Sequence, residues 1–207
     1  MLEPGSARAV LWDLGGVLLQ MDWAAAGRHW EAQLGLPTGD FLRAVFGGSD
    51  DTVLVGRVPE QTWWGVVRVR LRLSPAGLEE LRADLCRRQH LDEDLFQMVR
   101  QLRGAARQAV ISNAWPSTRG RLSTDGLEDL FDEVVISAEV GVAKPAAGIF
   151  RIALDRLGVG ARECVFVDDS AENIEAARAL GIPGHLHTRS DDTAAWLRVR
   201  LGLSPGR

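Results

Sequence analysis

The chain has 207 residues, enough for one α/β core with a small insert or for two small domains. Its 46% hydrophobic and 25% charged residues exclude a disordered chain, and a net charge of −4 gives no electrostatic reason to expect a nucleic-acid partner. Two cysteines, Cys86 and Cys164, exclude a disulfide framework, while a polar start and the lack of any long apolar run point to a cytoplasmic protein that does not enter a membrane.

From residue 7 the chain enters the apolar run Ala9-Val10-Leu11-Trp12, which stops at Asp13 and is bounded by Gly15-Gly16. Such a run reads as a short strand buried on both faces of a parallel sheet. Beyond Asp22 the periodicity turns helical. Asp22 can cap a helix over 23–34, Pro37-Thr38-Gly39-Asp40 breaks it, and a second helix covers 41–46. Pro59 suits a first helical turn, and Trp63, Val66, Val67 and Arg70 recur at helical spacing, giving a third helix over 59–71. Ser74-Pro75 opens a fourth, carrying Leu78, Leu81 and Leu85, in which residues 81–84 read as a solvated face. The module is rich in tryptophan, and Trp23, Trp30, Trp63 and Trp64 read mostly as core.

The chain then alternates. Helices are predicted over 95–102, from 119, and over 145–157, 170–180 and 191–201. Strands are predicted over 109–112, 134–136, 164–167 and 184–186. This alternation predicts an α/β protein with right-handed crossovers and a parallel sheet covered on both faces.

In such a sheet ligands sit beyond the carboxyl ends of the strands. The first strand ends at Asp13, the second at Ser112-Asn113 and the fourth at Asp168-Asp169. Lys144 lies in the loop after the third, within Gly141-Val142-Ala143-Lys144-Pro145. Taken singly, each has an ordinary reading as a helix cap, turn or loop residue. Together and in order, they bring three carboxylates, a hydroxyl, an amide and an ammonium to one rim. Trp115 is expected near that rim, facing substrate or the helical module.

The segments at 12–18 (Trp-Asp-Leu-Gly-Gly-Val-Leu), 110–113 (Val-Ile-Ser-Asn), 141–145 and 165–173 (Val-Phe-Val-Asp-Asp-Ser-Ala-Glu-Asn) resemble, in order, the four motifs of the haloacid dehalogenase superfamily. Residues 173–181 also resemble the helix of its last motif, so the likeness covers nearly the whole chain. It implies a Rossmann-like core from residues 1–20 and 92–207, with residues 21–91 as a small helical cap inserted after the first strand. It also implies covalent catalysis, in which Asp13 accepts a phosphoryl group from a small phosphorylated metabolite and water hydrolyses the acyl phosphate. Two anions must meet, so a magnesium ion is implied, held by Asp13, the Gly15 carbonyl and Asp169, with Asp168 close by or water-bridged. Ser112, the Asn113 backbone and Lys144 would hold the phosphoryl oxygens, and Lys144 would offset the carboxylate charge. The pattern is similar to that of sugar-phosphate phosphatases with an Asp-x-Gly first motif, as a monomer or as a homodimer through the module's apolar surface.

Position 15 departs from the resemblance. Phosphatases of this superfamily usually carry a second aspartate there, as general acid and then base; here it is Gly15. A general acid is worth ~10²–10⁴-fold. A backbone carbonyl, in contrast, is present whatever the side chain, so proton transfer is lost and metal binding is not. Three readings stay open: a phosphatase for esters that leave easily, a binding or regulatory protein with little turnover, and a 2-haloacid dehalogenase. The last works without metal, and here Asp168-Asp169 would put two anions beside its anionic substrate. Asp22, His29 and Asp50-Asp51 are substitute acids by position, each with a simpler reading as a helix cap, a helix-face residue and a turn pair. The crossings at 19–22 and 89–92 read as hinges.

Overall fold

The computed structural model describes residues 7–47 and 52–203. Its strands are β1 (Ala9–Trp12), β2 (Leu19–Met21), β3 (Gln89–Leu91), β4 (Arg107–Ser112), β5 (Glu133–Ile136), β6 (Cys164–Asp168) and β7 (Gly184–Leu186). Its helices are α1 (Trp23–Leu34), α2 (Asp40–Phe46), α3 (Glu60–Arg70), α4 (Pro75–Arg87), α5 (Glu93–Leu102), α6 (Ser117–Thr124), α7 (Ser137–Val140), α8 (Ala147–Leu157), α9 (Ala171–Ala179) and α10 (Ser190–Leu201).

Five strands form a parallel sheet in the order β5-β4-β1-β6-β7. The apolar runs are explained by burial on both faces. Val10 and Trp12 of β1 pack to one side with Val110, Val165 and Val167, beneath α5 and α10. Ala9 and Leu11 alternate to the other with Ile111 and Phe166, beneath α8 and α9. Phe150 of α8 meets Phe166 of β6 edge to face at 5.2 Å, worth ~0.5–1.5 kcal/mol beyond the area it buries. The one indole in the sheet is satisfied: Trp12 Nε1 donates to Gln108 Oε1, whose amide donates to the Val99 carbonyl. Cys164 is core, as its apolar setting indicates, and burial pushes its thiol up to about 12.

Strand β1 is central. From it the chain moves outward to β4 and β5, then returns to β6 and β7 on the other side. The connections therefore part at the carboxyl end of β1, which opens a crevice there.

Helices α1–α4 pack on one another around Trp30, Phe41, Trp63, Trp64, Val67 and Leu81. Three of the module's four tryptophans are thus core, while Trp23 is half-buried against Phe46. The stretch 81–84 is not simply a solvated face: Asp84 accepts hydrogen bonds from Trp30 Nε1 at 3.0 Å and Arg88 Nε at 2.6 Å, tying α1 to α4. The two hinge segments form an antiparallel ribbon that sequence did not indicate, pairing Leu19 with Leu91 and Met21 with Gln89. Three residues per strand are too few to display a period. The helix expected over 145–157 begins at Ala147, because Ala146 is still extended. The one-turn α7, unforeseen for the same reason of length, precedes the Lys144 loop. No helix of the described residues is long and apolar enough to cross a membrane.

Candidate active site

Asp13 follows directly from β1, and its amide continues the sheet by donating to the Val167 carbonyl at 2.9 Å. Its Oδ1 accepts from the Leu14 amide and from Lys144 Nζ, each at 2.7 Å, while Oδ2 takes neither contact. The Lys144 side chain is 1% exposed, and its ammonium lies 2.7 Å from Asp168 Oδ2 as well. Asp168, fully buried at the end of β6, also accepts from the Ser170 amide at 2.8 Å and from Asn173 Nδ2 at 3.0 and 3.1 Å. The loop that delivers Lys144 is pinned to the end of β4. Asn113 Nδ2 donates to the Lys144 carbonyl at 2.8 Å, and the Lys144 amide donates back to Asn113 Oδ1 at 2.7 Å. The Asn113 side chain therefore has a positioning task beyond the backbone contact expected of it.

Asp13, Asp168 and Asp169 each offer an oxygen within 4.8 Å of the others. Asp169 is exposed and lies over Gly16. A Cβ at Gly16 would stand 2.1 Å from Asp169 Oδ2, and its φ of +79° is one that L side chains rarely adopt. Gly15 is the reverse case, since a Cβ there meets nothing within 4 Å. The turn is closed by Leu19 N donating to the Leu14 carbonyl and Gly16 N donating to the Leu19 carbonyl, so the Gly15 carbonyl is outside both bonds. Gln20 stiffens the turn through the Val17 and Gly16 carbonyls.

Burial pushes the Asp13 carboxyl up to about 7 against the pull of Lys144, with the Asp168 charge adding to the rise. Burial and Asp168 also raise Asp169. Two carboxyls raised together describe a site short of positive charge, built of hard oxygen donors, and this donor set suits a divalent cation.

Beside this cluster a cleft of about 620 Å³ opens toward α1–α3. Gly15, Gly16, Ser112, Asn113 and Asp169 line its floor, and Met21, Trp23, Phe46 and Trp63 line its walls. Ser112 is buried at the end of β4. Trp115 lies at the rim and meets the module, edge to face with Trp64 at 4.7 Å. All seven expected site residues are thus gathered at one end of the sheet. Asp22 instead caps α1 by accepting from the Ala25 amide, and His29 is exposed on α1 against Trp30. Asp50 and Asp51 lie outside the described residues. In sequence Asn173 is only the last residue of a motif, and Gln20 carries no signal of its role. The only hint of Asn173's role was its place five residues after Asp168.

A model of haloacid dehalogenase-like hydrolases matches residues 7–181. The protein named Phosphatase MT3486 of Mycobacterium tuberculosis is 29% identical over 196 residues, covering 91% of this chain and 90% of that protein. Acyl-CoA dehydrogenase family member 10 of Mus musculus is 28% identical over 208 residues; the chain spans only 19% of that protein. Among solved structures, the HAD family enzyme bt-2542 from Bacteroides thetaiotaomicron superposes with a TM-score of 0.79 at 20% identity, covering 93% of this chain and 98% of that one. The complex of the same enzyme with magnesium and inorganic phosphate gives 0.74 over 88% and 94%. At this identity the structural likeness establishes the fold.

Two outcomes follow from the geometry. Magnesium is expected to raise the Tm of the parent, and Gly16→Ala is expected to displace Asp169 and abolish that rise; a rise equal to the parent's would refute the close packing. The second concerns pH. Asp13 is raised above its unfolded value of 3.8, so its stabilising contribution is complete below that value and is lost as pH rises through about 7. Asp13→Asn is therefore expected to gain stability relative to the parent between pH 5 and pH 8, read by urea denaturation in chelator. A difference independent of pH would contradict this.

Proposed function

The chain belongs to the haloacid dehalogenase-like hydrolases, and within that family we propose that it is a magnesium-dependent phosphatase acting on a small phosphorylated metabolite through an aspartyl-phosphate. The observation that carries this reading is the convergence of Asp13, Asp168 and Asp169 around the buried Lys144 ammonium, beside Ser112 and Asn113 at the floor of an open cleft. The phosphatase name of the mycobacterial relative and the magnesium and phosphate complex of the Bacteroides enzyme support it.

Three oxygen donors, Asp13, Asp169 and the Gly15 carbonyl, would hold the magnesium ion, with Asp168 in contact through water. When bound, the ion neutralises charge on the transferring phosphoryl group. Asp13 attacks phosphorus as its P–O ester bond breaks, and the leaving oxygen takes its proton from solvent. Ser112, the Asn113 amide and Lys144 hold the phosphoryl oxygens; one such contact is typically worth ~10²–10³ in rate. Water then cleaves the acyl phosphate, releasing phosphate and restoring Asp13. Residues 21–91 serve as a cap that shields this step from bulk water, over a core of residues 1–20 and 92–207.

Gly15 supplies no proton, so the site suits esters whose leaving group departs as an anion, such as a sugar 1-phosphate or an acyl phosphate. The haloacid reading is the weaker one: the attacking Asp13 and an anionic haloacid would share the site with Asp168 and Asp169 and only one ammonium. Low turnover remains the reading for esters that need an acid.

Hydrolysis of p-nitrophenyl phosphate is expected to require magnesium and to vanish in Asp13→Asn. Full activity in chelator, or metal-independent chloride release from 2-chloropropionate, would overturn the reading. Gly15→Asp fits the open space at that position and is expected to raise turnover of phenyl phosphate at least ~10-fold, the low end of what a general acid supplies. An unchanged ratio of phenyl phosphate to p-nitrophenyl phosphate turnover would show that the missing acid does not limit this enzyme.

A further inference from the structure

Helix α6 starts just beyond Trp115 and presents Thr118, Arg121, Leu122 and Asp125 to the cleft, the i, i+3, i+4, i+7 face of a helix. Arg121 is the only lysine or arginine among the described residues that line this cleft. It is half-buried, and the one hydrogen bond of its side chain among the described residues runs from Nη2 to Gln89 Oε1 at 2.5 Å. Asp125 lies one turn further on, yet no ion pair joins it to Arg121 among the described residues. Arg119, two positions earlier and off the cleft, makes the contrast. Four of its donors are taken, by Glu128, by both oxygens of Glu139 and by the Val134 carbonyl, at 2.6–2.8 Å. A guanidinium carries five N–H donors in a rigid fork, so Arg121 keeps donors to spare inside a cleft whose facing walls, Met21, Trp23 and Trp63, are apolar. Gln89 at the start of β3 holds one edge of the fork and so orients it.

We propose that Arg121 is a specificity-determining residue that binds a second anionic oxygen group, a carboxylate, on the phosphate ester held at the cleft floor. This assignment rests on the phosphatase reading of that floor and adds the substrate class, a phosphorylated carboxylic acid. The fork takes a carboxylate bidentately, and the apolar walls strengthen that contact while offering a carboxylate no other cation. The contact is made equally before and during phosphoryl transfer, so it lowers KM and leaves kcat nearly unchanged.

The test compares glucuronic acid 1-phosphate with glucose 1-phosphate, which differ in carboxylate against hydroxymethyl and share an anomeric leaving group. The parent is expected to favour the carboxylate by ~10–100-fold in kcat/KM, mostly through KM, as a charge-assisted bidentate contact supplies. Arg121→Gln should bring the ratio close to one, and Arg121→Lys, which keeps the charge without the fork, should fall between. The same ratio is read as binding, by calorimetry on the Asp13→Asn protein. If no ester is hydrolysed, p-nitrophenyl phosphate included, the phosphatase reading fails while the binding ratio still decides the role of Arg121. A ratio unchanged in Arg121→Gln, with both esters weakened alike, would overturn the proposal in favour of a structural role. A preference for glucose 1,6-bisphosphate over glucose 1-phosphate that is lost in Arg121→Gln, with none for the carboxylate pair, would overturn the carboxylate assignment.

Discussion

The buried ammonium of Lys144 is the contact on which the site depends. An ion of this kind costs several kcal/mol to withdraw from water and is tolerated only when paired and hydrogen-bonded. Asp13 and Asp168 supply the pairing at 2.7 Å each, from the ends of two neighbouring strands. Asn113, at the end of a third, clamps the lysine's backbone on both sides. Three strand ends and one loop are thereby fixed to one another through a single residue. Yet three carboxylates against one ammonium leave two negative charges, and the raised Asp13 and Asp169 are how the protein alone answers that excess. A divalent cation answers it without protonation.

The sheet order explains why this happens beside β1. The connections part on either side of that strand, which opens the crevice at its carboxyl end. The turn that follows divides its work between two glycines. Gly16 is required by contact, because Asp169 occupies the volume a side chain would need. Gly15 is not, because the space beside it is open. Contact at the Cβ therefore does not account for the absence of an aspartate at position 15.

Sequence exposed the features that repeat or that end a run. Strands buried on both faces are continuous apolar runs, so β1, β4, β5 and β6 were visible, and the polar residues that stop β1, β4 and β6 marked the rim. Partnerships set by the fold were not visible. Asn113 and Lys144 are 31 residues apart and Trp30 and Asp84 are 54 apart; no local pattern says which amide or carboxylate a distant chain will meet. The ribbon of β2 and β3 is hidden by its length, and its pairing of residues about seventy apart arises only once α1–α4 bring the two crossings together. Arg121 escaped notice because one arginine among many looks like surface charge until the cleft beside it is seen.

The floor and wall of the cleft act on different parts of the reaction. At the floor, the missing acid makes the rate of the first step depend on the leaving group's own basicity. On the wall, a guanidinium that binds ground state and transition state alike changes how much substrate is held, not how fast it reacts. A site with an acid can process many esters and needs its walls to discriminate among them. On the proposed phosphatase reading such a floor would reject esters that leave poorly, and Arg121 would have only to choose among those that leave well. Selectivity would then be divided between the chemistry of Gly15 and the recognition on α6.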